Sequence, residues 1–323
     1  MKIAVVGAGA IGAYVGAALH RGGAEVHLIA RRDHLRAIQQ NGVRVLSARG
    51  DFTAHPHATD DPNEIGPVDY VFLGLKAHSY PTSGALITPL LGEHTAVVAG
   101  QNGIPWWYFH QLKGPYEGRR IEAVDPGGAT SEVLPPQRAI GCVVYPATVI
   151  ESPGVIRHLE GTRFSIGEPG GALSDRCTAL SEAMIAGGLK CPVEENLRDD
   201  IWIKLMGNAA FNPISALTRA TMVDICRHPS TRTMVTRVME EILDVAARVG
   251  SRPDISIEKR LRGAEGVGHH KTSMLQDLEA GKQLELDAIV TAVVEMADIT
   301  GAEAPTLRTV HAATDLLART VAA

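Results

Sequence analysis

The order of its segments predicts an α/β chain, with a doubly wound parallel sheet over residues 1–196 and an all-helical domain over 197–323. Three observations carry that reading. The chain opens on KIAVVGAGAIG, a short apolar run closed by three spaced glycines. Short apolar runs recur at residues 25–30, 69–73 and 95–99, with helix-compatible stretches between them. After residue 196 the strand signals stop, and long helical periodicities such as MVTRVMEEILDVAARVG and LDAIVTAVVEMADITG replace them.

Residues 3–6 read as a buried parallel strand and residues 11–19 as the helix that follows. Between them stand Gly7, Ala8, Gly9, Ala10, Ile11 and Gly12. The first glycine allows a tight turn, the second lets a pyrophosphate approach the backbone, and the third lets helix pack against strand. The helix N-terminus would then aim N–H groups and a positive dipole end at the phosphates. A glycine-rich turn without a ligand is the plain alternative, but the flanking strand and helix favour a dinucleotide site.

The next strand, EVHLIA at residues 25–30, addresses which dinucleotide. A site for NAD calls for a carboxylate at the end of this strand, to accept hydrogen bonds from the ribose 2′-hydroxyl. This chain has Arg31 and Arg32 there, and guanidinium groups suit a 2′-phosphate. Asp33 reads better as the cap of the following helix. The expected cofactor is NADP(H).

Further along, residues 79–91 supply intervening helices. Residues 122–167 change texture to β-like runs broken by Pro and Gly, which reads as an extension of the sheet with an antiparallel edge. A helix at 175–186 and a short run at 189–193 close the first domain. In sheets of this kind ligands lie at the carboxyl ends of the strands, so catalysis is expected in the cleft between the domains.

Bulk properties exclude several classes. The formal charge of −5 offers no basic footprint for nucleic acid. No stretch approaches an uncharged membrane span, and the glycines and charges after Lys2 argue against a signal peptide. The four cysteines (Cys142, Cys177, Cys191 and Cys226) lack metal or disulfide spacing, which fits free thiols in a reducing cytoplasm. Adjacent His269 and His270 point apart on a helix and have no carboxylate at ligand spacing, so no metal site is expected. Aromatic residues make up only 4% of the chain, which sets off the cluster Trp106-Trp107-Tyr108-Phe109.

Within IWIKLMGNAAFNP, Lys204, Asn208 and Asn212 are spaced four apart and share one helical stripe among apolar or small neighbours. An ammonium beside two carboxamides can clamp a carbonyl and a carboxylate, and desolvation would lower the lysine pKa toward proton-transfer range. An ordinary exposed lysine, with two asparagines beside a proline break, remains an equal alternative on spacing alone. Lys76 and Asn102 each follow a strand, where a cofactor edge would lie. A solvated loop and an Asn-Gly turn are their plain readings. Ser273 and Asp277 lie on one helical face, followed by Glu285.

Together these motifs resemble the ketopantoate reductase (2-dehydropantoate 2-reductase) family, within the wider 6-phosphogluconate dehydrogenase-like group. The resemblance runs almost end to end. It rests on KIAVVGAGAIG with Arg31, Leu75-Lys76-Ala77, Gln101-Asn102-Gly103, Lys204 with Asn208 and Asn212-Pro213, and Ser273 to Asp277 followed by Glu285-Leu286-Asp287. It implies an N-terminal Rossmann domain, a helical C-terminal domain, and reduction of a 2-oxo acid by NADPH. By the same resemblance Lys204 is the general acid, and Asn208, Asn212 and Ser273 hold the 2-oxo acid. Lys76, Asn102 and Glu285 contact the cofactor, with Asn102 and Glu285 near the reacting groups, and Ala147 lines the cofactor through its backbone. A carboxylate near Lys204 would keep it charged and oriented, a second role for Glu285.

Three departures from the family pattern bear on the substrate pocket. They are the aromatic cluster at 106–109, Thr291 where the family often has glycine, and Thr221-Met222 where some members have asparagine. The resemblance makes ketopantoate, reduced to (R)-pantoate in pantothenate and coenzyme A biosynthesis, the expected substrate, and the departures leave a bulkier 2-oxo acid as the alternative. The competing readings are another hydroxy-acid dehydrogenase of the same superfamily and a non-catalytic NADP-sensing protein. The apolar runs at 284–299 leave room for a homodimer.

Overall fold

In the computed structural model, which describes residues 1–322, the opening apolar run forms β1 (Lys2–Val6), with Ile3 to Val6 fully buried. α1 (Ala10–Arg21), β2 (Glu25–Ile29), α2 (Arg32–Asn41), β3 (Val43–Ser47), β4 (Phe52–Ala54), β5 (His57–Thr59) and β6 (Val68–Leu73) follow. Then come α3 (Gly84–Ile87), β7 (Leu91–Ala99), α4 (Ala129–Val133), β8 (Ala139–Val144), β9 (Ala147–Ser152), β10 (Val155–Glu160), β11 (Phe164–Gly167) and α5 (Asp175–Ala186). Seven strands make one sheet in the order β11-β8-β7-β6-β1-β2-β5. All its pairs are parallel except β11 against β8, which gives the expected antiparallel edge. Strands covered on both faces need no polar side, which is why β1, β6 and β8 read as near-continuous apolar runs.

The chain leaves β1 toward β2 on one side and returns to β6 on the other. The carboxyl end of β1 is therefore where the strand order reverses, the place at which such sheets bind ligands.

Two strands depart from expectation. β9 and β10 do not extend the main sheet but join β3 and β4 in a second sheet, ordered β4-β3-β10-β9. Burial explains the split, because β8 and β11 are buried along their whole length whereas β9 is exposed toward its end and β10 alternates. The second sheet packs on α1. Tyr14 of α1 stacks on His158 of β10 at 4.8 Å, and the Arg21 guanidinium lies 4.1 Å from the Phe52 ring centre. These contacts fix the helix whose N-terminus forms the glycine turn.

Other local expectations need correction. The region 79–91 is a series of short turns around four-residue α3, since Pro81 and Pro89 each remove a backbone donor. Asp33 does not cap α2; it lies in the first helical turn and pairs with Arg36. The run at 189–193 makes only isolated bridges to the segment around β11. The aromatic residues Trp106, Trp107, Tyr108 and Phe109 are all at most 4% exposed. Trp106 donates Nε1–H to the Leu134 carbonyl at 2.8 Å and meets Tyr80 edge-on, and Gly141 makes room for the Trp107 ring. They are core side chains, so the cluster gives no ground for a larger substrate pocket.

From residue 197 the chain is helical: α6 (Leu197–Thr218), α7 (Met222–Arg227), α8 (Pro229–Arg248), α9 (Ile257–Gly266), α10 (Ser273–Glu279), a π-helical turn at Asp287–Thr291, α11 (Ala292–Thr300) and α12 (Pro305–Ala322). α6 does not break at Pro213 but runs through it to Thr218. Thr221 caps α7 in a reciprocal box with Asp224, which accounts for that departure as a helix start. Within the 284–299 run, Leu284, Leu286, Ile289, Val293 and Met296 are buried.

The structure falls into two compact units. The first is Met1–Gln101, Pro105–Arg120 and Gly127–Leu197; the second is Asn102–Ile104, Ile121–Pro126 and the chain from Arg198 onward. Asn102 thus belongs with the helices although it follows a strand of the sheet. Among the described residues no helix is long and apolar enough to cross a membrane, and no cluster of His, Cys, Asp and Glu could hold a metal ion.

Candidate active site

The glycine turn of the first unit is dictated by close backbone approach. Gly7 has φ +91°, and a Cβ there would come within 2.7 Å of Leu75 Cδ2. A Cβ on Gly12 would overlap the Gly7 carbonyl oxygen, and one on Gly74, just after β6, would lie 3.0 Å from Gly12 Cα. Gly9 differs, since a Cβ there would meet nothing within 4 Å. Gly9 is also the N-cap of α1 and offers no side-chain cap, so the first N–H groups of the helix face an open cradle. Ala8, Ala10 and Ile11 complete the turn. Arg31 and Arg32 follow β2 and are exposed, with Arg32 in the left-handed region at φ +54°. Lys76 follows β6 half-buried, and Ala147 is the first residue of β9, also half-buried.

In the second unit, three residues far apart in sequence make one hydrogen-bonded chain. Lys204 Nζ donates to Asn102 Oδ1 at 2.7 Å, and Asn102 Nδ2 donates to Glu285 Oε2 at 3.5 Å. The carboxamide therefore joins an ammonium to a carboxylate and presents each with the matching end of its dipole. Asn102 is held by its own turn. Gly103 takes φ +84°, a Cβ on it would overlap the Ala288 carbonyl, and Ile104 N donates to that carbonyl at 2.8 Å. The Asn-Gly turn and the polar cluster are thus the same object.

α6 carries Lys204 and Asn208 half-buried and Asn212 only 5% exposed. Asn212 Nδ2 is buried with no hydrogen-bond partner among the described residues, an expensive state that a ligand acceptor would relieve. Ser273 is the exposed first residue of α10, capped by Thr272. Thr291 closes the π turn, and its Oγ1 lies 3.0 Å from His311 Nε2. Burial raises the thiols of Cys177 to about 11 and Cys191 to about 12, so neither acts as a nucleophile near neutral pH.

Arg260 on α9 was absent from the candidates read from sequence. Its guanidinium occupies the place a side chain at position 207 would take, with Cζ 2.5 Å from a Cβ built on buried Gly207. A glycine inside a helix costs about 1 kcal/mol relative to alanine, and that was the available signal of a close approach.

Comparison with known proteins identifies the family. The profile of ketopantoate reductase PanE/ApbA matches residues 3–171, and that of its C-terminal domain matches residues 196–318. The chain belongs to the ketopantoate reductase family. It is 48% identical to the 2-dehydropantoate 2-reductase of Mesorhizobium japonicum, over 97% of this chain and 96% of that one. A solved structure of a proposed ketopantoate reductase from Ralstonia solanacearum MolK2 superposes with a TM-score of 0.92 at 37% identity, covering 99% of this chain and 98% of that one. The 2-dehydropantoate 2-reductase of Geobacter metallireducens gives 0.85 at 30%, covering 98% and 100%. The chain is accordingly an oxidoreductase acting on CH–OH donors, with a nicotinamide cofactor and a small-molecule substrate. The open cradle at Gly9 and the uncapped start of α1 fit the pyrophosphate of such a cofactor.

Proposed function

We propose that this ketopantoate reductase family member reduces a 2-oxo acid to the 2-hydroxy acid with NADPH, and that the acid is ketopantoate. The Lys204–Asn102–Glu285 chain is the observation that carries the reading. When bound, the nicotinamide supplies a hydride, and negative charge then develops on the ketone oxygen. Lys204 meets that charge with an ammonium and supplies the proton, making it the general acid. Asn102 fixes the direction of the Lys204 ammonium, and Glu285 anchors the far end of the carboxamide. Asn208, Asn212 and Ser273 hold the acid, with the buried Asn212 Nδ2 as a donor awaiting an acceptor. Gly7 to Gly12, Lys76 and Ala147 hold the cofactor.

The choice of NADPH rests on β2. Its end carries Arg31 and Arg32, while the nearby carboxylate of Asp33 is taken by Arg36. Two exposed guanidinium groups suit a 2′-phosphate, and the hydroxyl of NAD finds no matching acceptor. The substrate is ketopantoate rather than a bulkier acid because the aromatic cluster that suggested extra bulk is buried core.

The test is steady-state reduction of ketopantoate and a panel of 2-oxo acids, wild type against Lys204→Ala. The variant should lose about 1,000-fold in kcat while still binding NADPH, within the range that general acid–base groups contribute. Full turnover in Lys204→Ala would remove Lys204 as the general acid, whereas a wild type that turns over no 2-oxo acid and a Lys204→Ala variant that still supports function in cells would favour a non-catalytic NADP-sensing protein.

A further inference from the structure

We propose that Arg260 anchors the carboxylate of the acid substrate, and that Gly207 is the gap in α6 that admits it. The inference rests on Lys204 being the proton donor to the neighbouring ketone oxygen. Position 207 lies three residues beyond Lys204 and next to Asn208 on α6. Side chains three apart on a helix have their Cβ atoms about 5–6 Å apart. Because the Arg260 guanidinium fills the side-chain position of residue 207, it lies one helical turn from the stem of Lys204.

A 2-oxo acid carries its ketone oxygen and its carboxylate on adjacent carbons. Its recognition calls for a proton donor and a fork of donors close together. The planar guanidinium presents such a fork and matches a carboxylate with two parallel hydrogen bonds, which an ammonium cannot do. At the surface of α9, Arg232 binds Glu258 and Arg227 binds Glu265. Arg260 turns inward and is half-buried against α6. Asn208 and Asn212 then need only orient the substrate, while Arg260 discriminates acids from neutral ketones.

The geometry singles out Gly207→Ala. The three atoms nearest the new Cβ all belong to the far end of a flexible side chain, so the helix should tolerate it and gain propensity while the guanidinium is pushed away. Its Tm should not fall below that of the wild type, yet its KM for ketopantoate should rise about 10-fold. Arg260→Gln should raise the same KM about 100-fold, within the cost of truncating one partner of a buried charge pair, and Arg260→Lys about 10-fold. For the methyl ester of the same acid, Arg260→Gln should change KM little, so the preference for acid over ester collapses.

A second arm needs no turnover. Oxamate, an unreactive 2-oxo acid mimic, should raise the Tm of the wild type in the presence of NADPH and should fail to do so for Arg260→Gln. An unchanged KM and oxamate shift in Arg260→Gln would overturn the proposal. So would a loss confined to kcat, or equal losses on acid and ester. A wild type that reduces no 2-oxo acid would overturn the parent reading instead, and the oxamate arm would still decide Arg260.

Discussion

The glycine turn of the first unit and the Lys204 cluster of the second are built by opposite means. The turn consists of backbone, and its residues are set by what cannot fit: Gly7 by Leu75, Gly12 by the Gly7 carbonyl, Gly74 by Gly12. The cluster consists of side chains brought together from positions 102, 204 and 285. A backbone device is written in consecutive residues and reads directly from sequence. A side-chain device depends on folding distances that no local pattern records.

The clearest way to break this comparison is to remove the bridging amide. Asn102→Ala takes away the acceptor that aims Lys204 and leaves Glu285 without that amide. A small misplacement of a catalytic group costs on the order of 100-fold, so kcat should fall by about that factor. The effect should be on kcat rather than on the Kd for the cofactor, measured by single-turnover kinetics and NADPH fluorescence.

The turn should respond in the reverse manner, and its two glycines should differ. A Cβ on Gly12 collides with backbone, which cannot yield, so Gly12→Ala should destabilise by about 1–3 kcal/mol and weaken NADPH binding with it. A Cβ on Gly9 meets nothing in the protein, so Gly9→Ala should leave Tm unchanged. It should nevertheless weaken NADPH about 10-fold, because the methyl would stand where the pyrophosphate approaches. Equal stability loss in both variants would show that the cradle is ordinary packing.

How far the sequence could be read follows the same division. The parallel sheet, the glycine turn after β1 and α5 were legible because buried strands and a capped helix leave consecutive signals. The second sheet was not. β9 and β10 carry the same β-like texture as β8, and only their exposure separates them. At the site, the stripe on α6 was legible from its spacing of four. Asn102 was legible as a residue but not as a bridge, since its partners lie 102 and 183 positions away. Arg260 left no trace of its own beyond an unexplained glycine at 207.

The arginines after β2 test the turn's neighbour. Arg31→Gln removes one charge-assisted donor set, which should lower kcat/KM for NADPH about 10-fold and leave NADH almost unaffected. An equal fall with both cofactors would assign Arg31 a packing role.

The smallest effect concerns two histidines, one beside each device. Burial holds the His34 imidazole below its ordinary pKa, against a hydrogen bond with Ala8 of the glycine turn. His34 also accepts from Gly154 N at 3.1 Å. Burial likewise lowers His311, which faces Thr291 of the π turn, while Asp315 and Asp287 pull it upward and Arg308 opposes them. A histidine whose pKa is lowered by folding binds its proton more readily in the unfolded chain. Stability therefore rises with pH through that window, and it is lost as pH falls from about 6.5 toward the folded values. Glu168 does not confuse the measurement. Its burial is outweighed by hydrogen bonds from Arg176 and Ser174, so its carboxyl is held low and titrates in more acid solution. Between pH 7.5 and 5.5 the Tm should fall by roughly 1–3 °C per histidine for a protein of this size. His34→Gln should remove the share belonging to the turn and His311→Gln that of the cluster. If neither substitution flattens the slope, the buried imidazoles are not its source.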